Sequence, residues 1–284
     1  MKPASDWPRF LYVRVFFLAV CFAAAAFSQD AREIVRKSVE LDQANWLRMS
    51  DYTWLARSHE RRFDGHGKIA SERQEAWETI ILDGRPYRRI VERDGRPLSP
   101  PEQRKEQEKL DAAATKLENE SAEQKERSRE EYEKSRRREF EFLSEIPDAF
   151  ECRLEGDAKV DGRDVWVISG VPNPRYHPKS RDGRALLKIA GKVWIDKSDY
   201  QWVRAEGENT GTISFGLFLA WLNPGAKLVF EQTRVNNEMW LPKRLFLSGN
   251  GRIGLLKRVA EDQEIIWSNY KKFQVESKIV PHEQ

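Results

Sequence analysis

The sequence predicts an α+β protein, mostly antiparallel β, with about 11–12 strands, an N-terminal amphipathic helix and one long charged helix inserted between strands. Three observations carry this. One early stretch keeps a helical period, most of the remaining chain consists of short Trp-, Ile-, Val-, Tyr- and Thr-rich runs separated by tight-turn pairs, and one internal stretch is almost wholly polar.

The first 28 residues stand outside that fold. Lys2, Arg9 and Arg14 precede the 13-residue apolar run from Val15 to Phe27, and Ala26 and Ser28 are small where a signal peptidase reads. A membrane span needs about 20 residues, so the segment reads as an export signal cleaved before Gln29, leaving a single domain over 29–284. A lipid anchor on Cys21 is disfavoured, because Val20 is bulky and the apolar run continues past the cysteine. The mature chain then holds one cysteine, Cys152, so no internal disulfide forms and a buried, inert thiol is expected.

From Asp30 to Met49, Ile34, Val35, Val39, Leu41 and Trp46 recur near one helical face, and Asp30 suits the cap. From Tyr52 the period changes. Turn signals at Asp64-Gly65, Asp83-Gly84, Asp94-Gly95, Asp161-Gly162, Asn236-Asn237 and Gly249-Asn250-Gly251 divide strands that must be antiparallel, because parallel pairs need long crossovers. About a dozen strands in one meander curl or close. Apolar residues on both parities, as in Val165 to Ile168 and Leu245 to Leu247, require cover on both faces, one by the helix and the other by strands or a ligand.

The chain of 284 residues carries 49 Lys plus Arg and 46 Asp plus Glu, 33% charged in all. Such balance excludes a dedicated nucleic-acid binder, and 39% hydrophobic residues exclude an acidic disordered chain. Much of the surplus charge sits in one place, since 24 of the 41 residues from Pro101 to Glu141 are charged. Pro100 and Pro101 open this segment, Glu102 and Glu106 follow, and Arg136, Arg137 and Arg138 lie near its end, as a helix dipole favours. The insert, 101–146, is a solvated helix. A coiled coil is the alternative, although Leu110 and Leu117 are followed one heptad on by Gln124 and Glu131. Unbroken, it would run roughly 60 Å, so it overhangs the body or breaks. Tyr132, Phe140, Phe142, Leu143 and Ile146 give its C-terminal part an apolar surface to dock.

Chemistry-bearing motifs are scarce. His59, His66, His177 and His282 form no metal-spaced pair, and no nucleophile elbow, phosphate loop or dinucleotide fingerprint occurs. No cofactor or metal is therefore expected. Acidic pairs such as Glu206 and Glu208 leave hydrolase chemistry open, since its carboxylates need only meet in space. The most hydrophobic stretch of the mature chain, Ile213 to Leu222, is either a core strand or a flexible flap or cavity wall, with Gly211 and Gly216 giving backbone freedom.

The residues from Gly191 to Glu206, with the Trp194-Ile195-Asp196 strand end, a turn and Val203-Arg204, resemble bacterial periplasmic lipoprotein carriers of the LolA, LolB and RseB type. Trp240 to Leu245 and Asn269 to Phe273 also look like strands of such proteins. The resemblance spans roughly Asp30 to Val280 and implies a half-open curled β-barrel around an apolar cavity, with helices over its mouth. The charged insert departs from it, and no motif transfers a ligand-holding residue.

The resulting expectation is a monomeric, non-catalytic periplasmic binding protein for lipid or lipoprotein acyl chains, with peripheral membrane contact. Trp54, Trp77, Trp194, Phe215, Phe218, Trp221, Phe230, Trp240 and Phe246 are its candidate cavity residues. The alternatives are an envelope sensor or scaffold that binds a protein partner through the charged helix, and a hydrolase.

Overall fold

The structure is a computed structural model that describes residues 31–46, 48–180, 182–215, 220–253 and 257–272. The export signal with Cys21, the cap at Asp30, Phe218, Phe273 and His282 lie outside the described residues. Among the described residues, no helix is long and apolar enough to cross a membrane.

Helix α1 spans 31–46 and is followed by a 3-10 turn, Met49–Asp51. Its buried positions are Ala31, Ile34, Val35, Ser38, Val39 and Asp42, one stripe at helical spacing. The polar Ser38 and Asp42 share this buried face with Ile34, Val35 and Val39, while Leu41 lies at its margin, partly buried.

Among the described residues thirteen strands follow: β1 (Tyr52–Phe63), β2 (Ile69–Leu82), β3 (Arg85–Arg93), β4 (Arg96–Pro97), β5 (Phe150–Val160), β6 (Arg163–Pro172), β7 (Ile189–Asp196), β8 (Trp202–Asn209), β9 (Ile213–Phe215), β10 (Ala220–Leu222), β11 (Lys227–Val235), β12 (Met239–Ile253) and β13 (Lys257–Lys272). Eleven form one path, in the order β4-β3-β2-β1-β13-β12-β11-β8-β7-β6-β5, and every pairing is antiparallel. β10 pairs with the far end of β12 and with β9. β4 and β5 are the two free ends of this path, so the sheet stays open.

The turn chemistry explains the meander. Asp83-Gly84, Asp94-Gly95, Asp161-Gly162 and Asn236-Asn237 all adopt positive φ, for example 49° and 74° at the first pair, as two-residue hairpins of the right-handed twist require. Gly249 and Gly251 do otherwise. They lie inside β12, where added side chains would meet Ala226 Cβ at 2.8 Å and collide with the Trp221 carbonyl. These glycines admit close backbone approach and do not turn the chain. The apolar stretch from Ile213 to Leu222 contributes two short strands, β9 and β10, which pair with each other.

Between β4 and β5 the insert forms two helices, α2 (Pro100–Glu118) and α3 (Ala122–Glu141). The Ser99 amide and hydroxyl donate to Glu102 at 3.0 and 2.6 Å. At the break, the Ser121 amide donates to Gln124 Oε1 at 2.8 Å and the Gln124 amide to Ser121 Oγ at 3.2 Å. This second capping box starts a new helix, so the single long helix expected from composition is divided. The insert carries the chain from one free edge of the sheet to the other. It then enters a 3-10 turn (Phe142–Glu145) and α4 (Ile146–Ala149), where Phe142, Leu143 and Ile146 dock on the core.

The main core lies where α1 packs on β6 and β7: Ile34, Val35 and Val39 meet Ile168 and Ile195. Successive strand residues point to opposite faces, so Trp194, between the helix-facing Val193 and Ile195, points away. On that outer face Val165, Val203 and Trp240 form a second cluster with Trp194. Arginines cover it: the Arg163 guanidinium lies 5.1 Å from the Trp240 ring and that of Arg204 5.5 Å from the Trp194 ring. The second apolar face is thus shielded by arginine side chains, where strands or a ligand were expected.

Candidate functional site

Beyond the footprint of α1 the helix-side face loses its side chains. Gly170 of β6, Gly191 of β7 and Gly207 of β8 are directly opposite partners, and Gly249 and Gly251 lie farther along β12. Above these glycines opens a cavity of about 650 Å³ with an overwhelmingly apolar lining, within the range of about 300–1,000 Å³ usual for ligand sites. Val35 of α1, Phe150 of β5, Leu186, Leu228 of β11 and Leu247 of β12 form its walls.

One end wall depends on a buried carboxylate. Glu145, 2% exposed, accepts hydrogen bonds from the Tyr176 hydroxyl, the Lys179 amide at 2.8 Å and the Ser180 amide at 3.1 Å. These bonds tie Tyr176, Lys179 and Ser180 to Glu145 near the short helix α5 (Gly183–Leu186), whose Ala185 and Leu186 line the cavity. A Cβ at Gly183 would come within 2.5 Å of the carboxylate, so glycine is needed there. Burial alone raises the Glu145 carboxyl, but hydrogen bonds from Ser180, Tyr176 and Lys179 outweigh it and hold the group below its usual range.

Lys192, Glu206, Glu208, Lys227 and Arg252 border the cavity too, but alternation along their strands turns their side chains to the other face. Glu261 and Gln263 of β13 close the cavity on its far side. Arg62 contacts Glu261 at 3.1 Å and Glu60 at 2.6 Å, one cation between two carboxylates. Cys152 also lines the wall, its thiol pushed up to about 11 by burial. Among the described residues no group of three His, Cys, Asp or Glu stands close enough to hold a metal ion.

Of the nine candidate aromatic residues, Trp221 lines the cavity. Trp54 packs against Tyr270 and the Met49, Tyr52, Met239 and Leu241 cluster. Trp77 lies under the Arg88 guanidinium, 3.8 Å from its ring centre. Trp194 and Trp240 belong to the outer face, as does Phe246, which alternates with the cavity-lining Leu247. Phe230 pairs with Ala205 and Leu245 on the helix side, one row away from Leu228. The backbone of Phe215 belongs to β9; its side chain and all of Phe218 are outside the described residues. The aromatic residues expected to form one cavity are therefore spread over both faces, and the site is lined mainly by glycines and aliphatic residues together with Phe150, Trp202 and Trp221. In the sequence the available signal is glycine inside strands, at Gly170, Gly191 and Gly207.

No protein-family model and no curated protein matches the chain. Its structure is similar, at low identity, to LolA-superfamily and lipoprotein-sorting structures. A putative outer membrane lipoprotein-sorting protein domain from Vibrio parahaemolyticus is 12% identical, with TM-score 0.35, over 85% of this chain and 94% of that one. A LolA superfamily protein from Nitrosomonas europaea is 12% identical, with TM-score 0.32, over 88% and 96%. The MucA/MucB complex of Pseudomonas aeruginosa supplies a chain 10% identical, with TM-score 0.20, over 82% and 99%.

Proposed function

We propose that this chain is a non-catalytic periplasmic carrier that holds a lipid, or the acyl chains of a lipoprotein, in the cavity beside α1 on the helix-side face of the sheet. The observation that supports the reading is an apolar cavity of about 650 Å³ floored by glycines. Removing a 16-carbon chain from a membrane forfeits about 0.8 kcal/mol per methylene, on the order of 12 kcal/mol. Only a comparable apolar enclosure offsets that loss, and it needs no metal, nucleotide or nucleophile. Native mass spectrometry of the protein taken from the periplasm, joined to uptake of a fluorescent acyl probe, tests it. Co-purifying lipid and saturable uptake are expected; protein that arrives empty and takes up no probe would overturn it.

A protein partner is a second reading, favoured by α3, none of whose described side chains is buried. A helix polar all round is maintained by its own ion pairs or by something it contacts. Replacing residues 122–135 by a Gly/Ser linker should then abolish crosslinking to one envelope protein while probe uptake persists.

A further inference from the structure

The cavity has a direction. Gly170, Gly191, Gly207, Leu228, Leu247 and Gln263 are successive cross-strand partners on β6, β7, β8, β11, β12 and β13, and all six line the cavity. Strands lie about 4.8 Å apart, so these five steps run about 24 Å across the sheet. At the glycine end the row is a trough, flanked on β7 by Ile189 and Val193. At the other end it becomes polar, and Gln263 is itself opposite Glu60.

The polar end presents acceptors. The Gln263 amide nitrogen is turned to Ser58 Oγ at 3.4 Å, which leaves its carbonyl oxygen without a partner among the described residues. Arg62 Nε donates to Glu261 Oε2 at 3.1 Å, and Glu261 Oε1 likewise has no described partner. Arg62 is already shared with Glu60 and is no free cation for an anionic group.

Resting on the carrier reading, we infer that the ligand is a single-chain amphiphile lying across the strands, its tail over the glycine trough and a hydrogen-bond-donating head, an amine above all, at Glu261 and Gln263. A free carboxylate at that end would face a carboxylate and a carbonyl oxygen, both repulsive. The trough is a specificity element because any side chain at Gly207 would enter it. A Cβ there meets only Ile189 Cγ2 at 3.5 Å, so the position tolerates substitution without backbone movement.

The test displaces a bound fluorescent acyl probe from the purified protein with tetradecylamine, tetradecanol and tetradecanoate at pH 7. The amine should displace at about tenfold lower concentration than the carboxylate. Glu261→Gln should shrink that ratio to about threefold or less and leave tetradecanol unchanged. Gly207→Leu should weaken all three about tenfold, and Gly207→Ala, the smaller change, about threefold. Carboxylate bound as well as amine would overturn the head-group assignment, and full affinity in both Gly207 variants would overturn the trough. A wild-type protein that binds none of the ligands, nor the probe, would instead overturn the carrier reading itself.

Discussion

A Cβ on Gly191 would collide with the backbone carbonyl oxygen of Glu206 on the neighbouring strand β8. Backbone cannot yield as a side chain can, so Gly191→Ala must push β7 away from β8 or break their pairing. Its row neighbour Gly207 faces open space apart from Ile189. We therefore expect Gly191→Ala to lose about 1–3 kcal/mol of stability or more, with Gly207→Ala near neutral. Urea denaturation of the two variants checks this; equal midpoints would show that the close approach is not a constraint.

The carboxyl of Asp42 is buried under α1, accepts a hydrogen bond from Gln232 Nε2 at 2.7 Å, and is raised by burial from 3.8 to about 6. A folded value above the unfolded one means that ionisation opposes folding. The Asp42 contribution is therefore most favourable below pH 4, declines between about pH 4 and 6, and stays constant above, a loss on the order of 2–3 kcal/mol. Asp42→Asn should remove that slope and be the more stable protein at pH 7. Denaturation of both proteins from pH 4 to 8 gives the comparison; parallel curves would exclude the assignment.

Deleting the buried Glu145 carboxylate should be costly. Glu145→Ala strips acceptors from the Tyr176 hydroxyl and two backbone amides, at roughly 1–3 kcal/mol for each donor left buried and unpaired. Because this carboxyl is held below its usual 4.5, its contribution is present above that pH and is lost as pH falls toward the lowered folded value. Hydrogen exchange at the Lys179 and Ser180 amides should accelerate in Glu145→Ala more than in Glu145→Gln, which keeps an acceptor. Unchanged protection would mean that residues 176–180 are held by other contacts.

The legible parts of this fold are those written in local chemistry. Paired positive-φ residues such as Asp83 and Gly84 mark hairpins whatever surrounds them, and the Ile34, Val35, Val39 spacing marks a buried helix face. Ser121 and Gln124 carry the signal for the helix break, but the surrounding charge hides it. The site is less legible, because a tryptophan announces burial without saying on which face. Trp194 and Trp221 look alike in sequence, yet Trp194 belongs to the outer-face cluster and Trp221 to the lining of the cavity. A cavity, moreover, is made by missing side chains. Gly170, Gly191 and Gly207 have no hydropathy to notice, and their alignment across three strands exists only once pairing is known.

Cys152 offers a direct view of occupancy, since it lines the cavity and is the one cysteine among the described residues. With its thiol pushed up to about 11, roughly one molecule in ten thousand is thiolate at pH 7, so a maleimide should react slowly and about tenfold faster per pH unit as pH rises toward 11. A ligand lying on the glycine trough covers the sulfur, because Cys152 is the direct cross-strand partner of Gly170. Saturating acyl amphiphile should therefore slow labelling by about tenfold or more at every pH, beyond any shift in the thiol itself, and Cys152→Ser should remove the signal. Labelling that rises with pH but ignores the amphiphile would place the bound chain elsewhere on the protein, and labelling as fast as that of a free thiol at pH 7 would show that the wall around Cys152 is open to water.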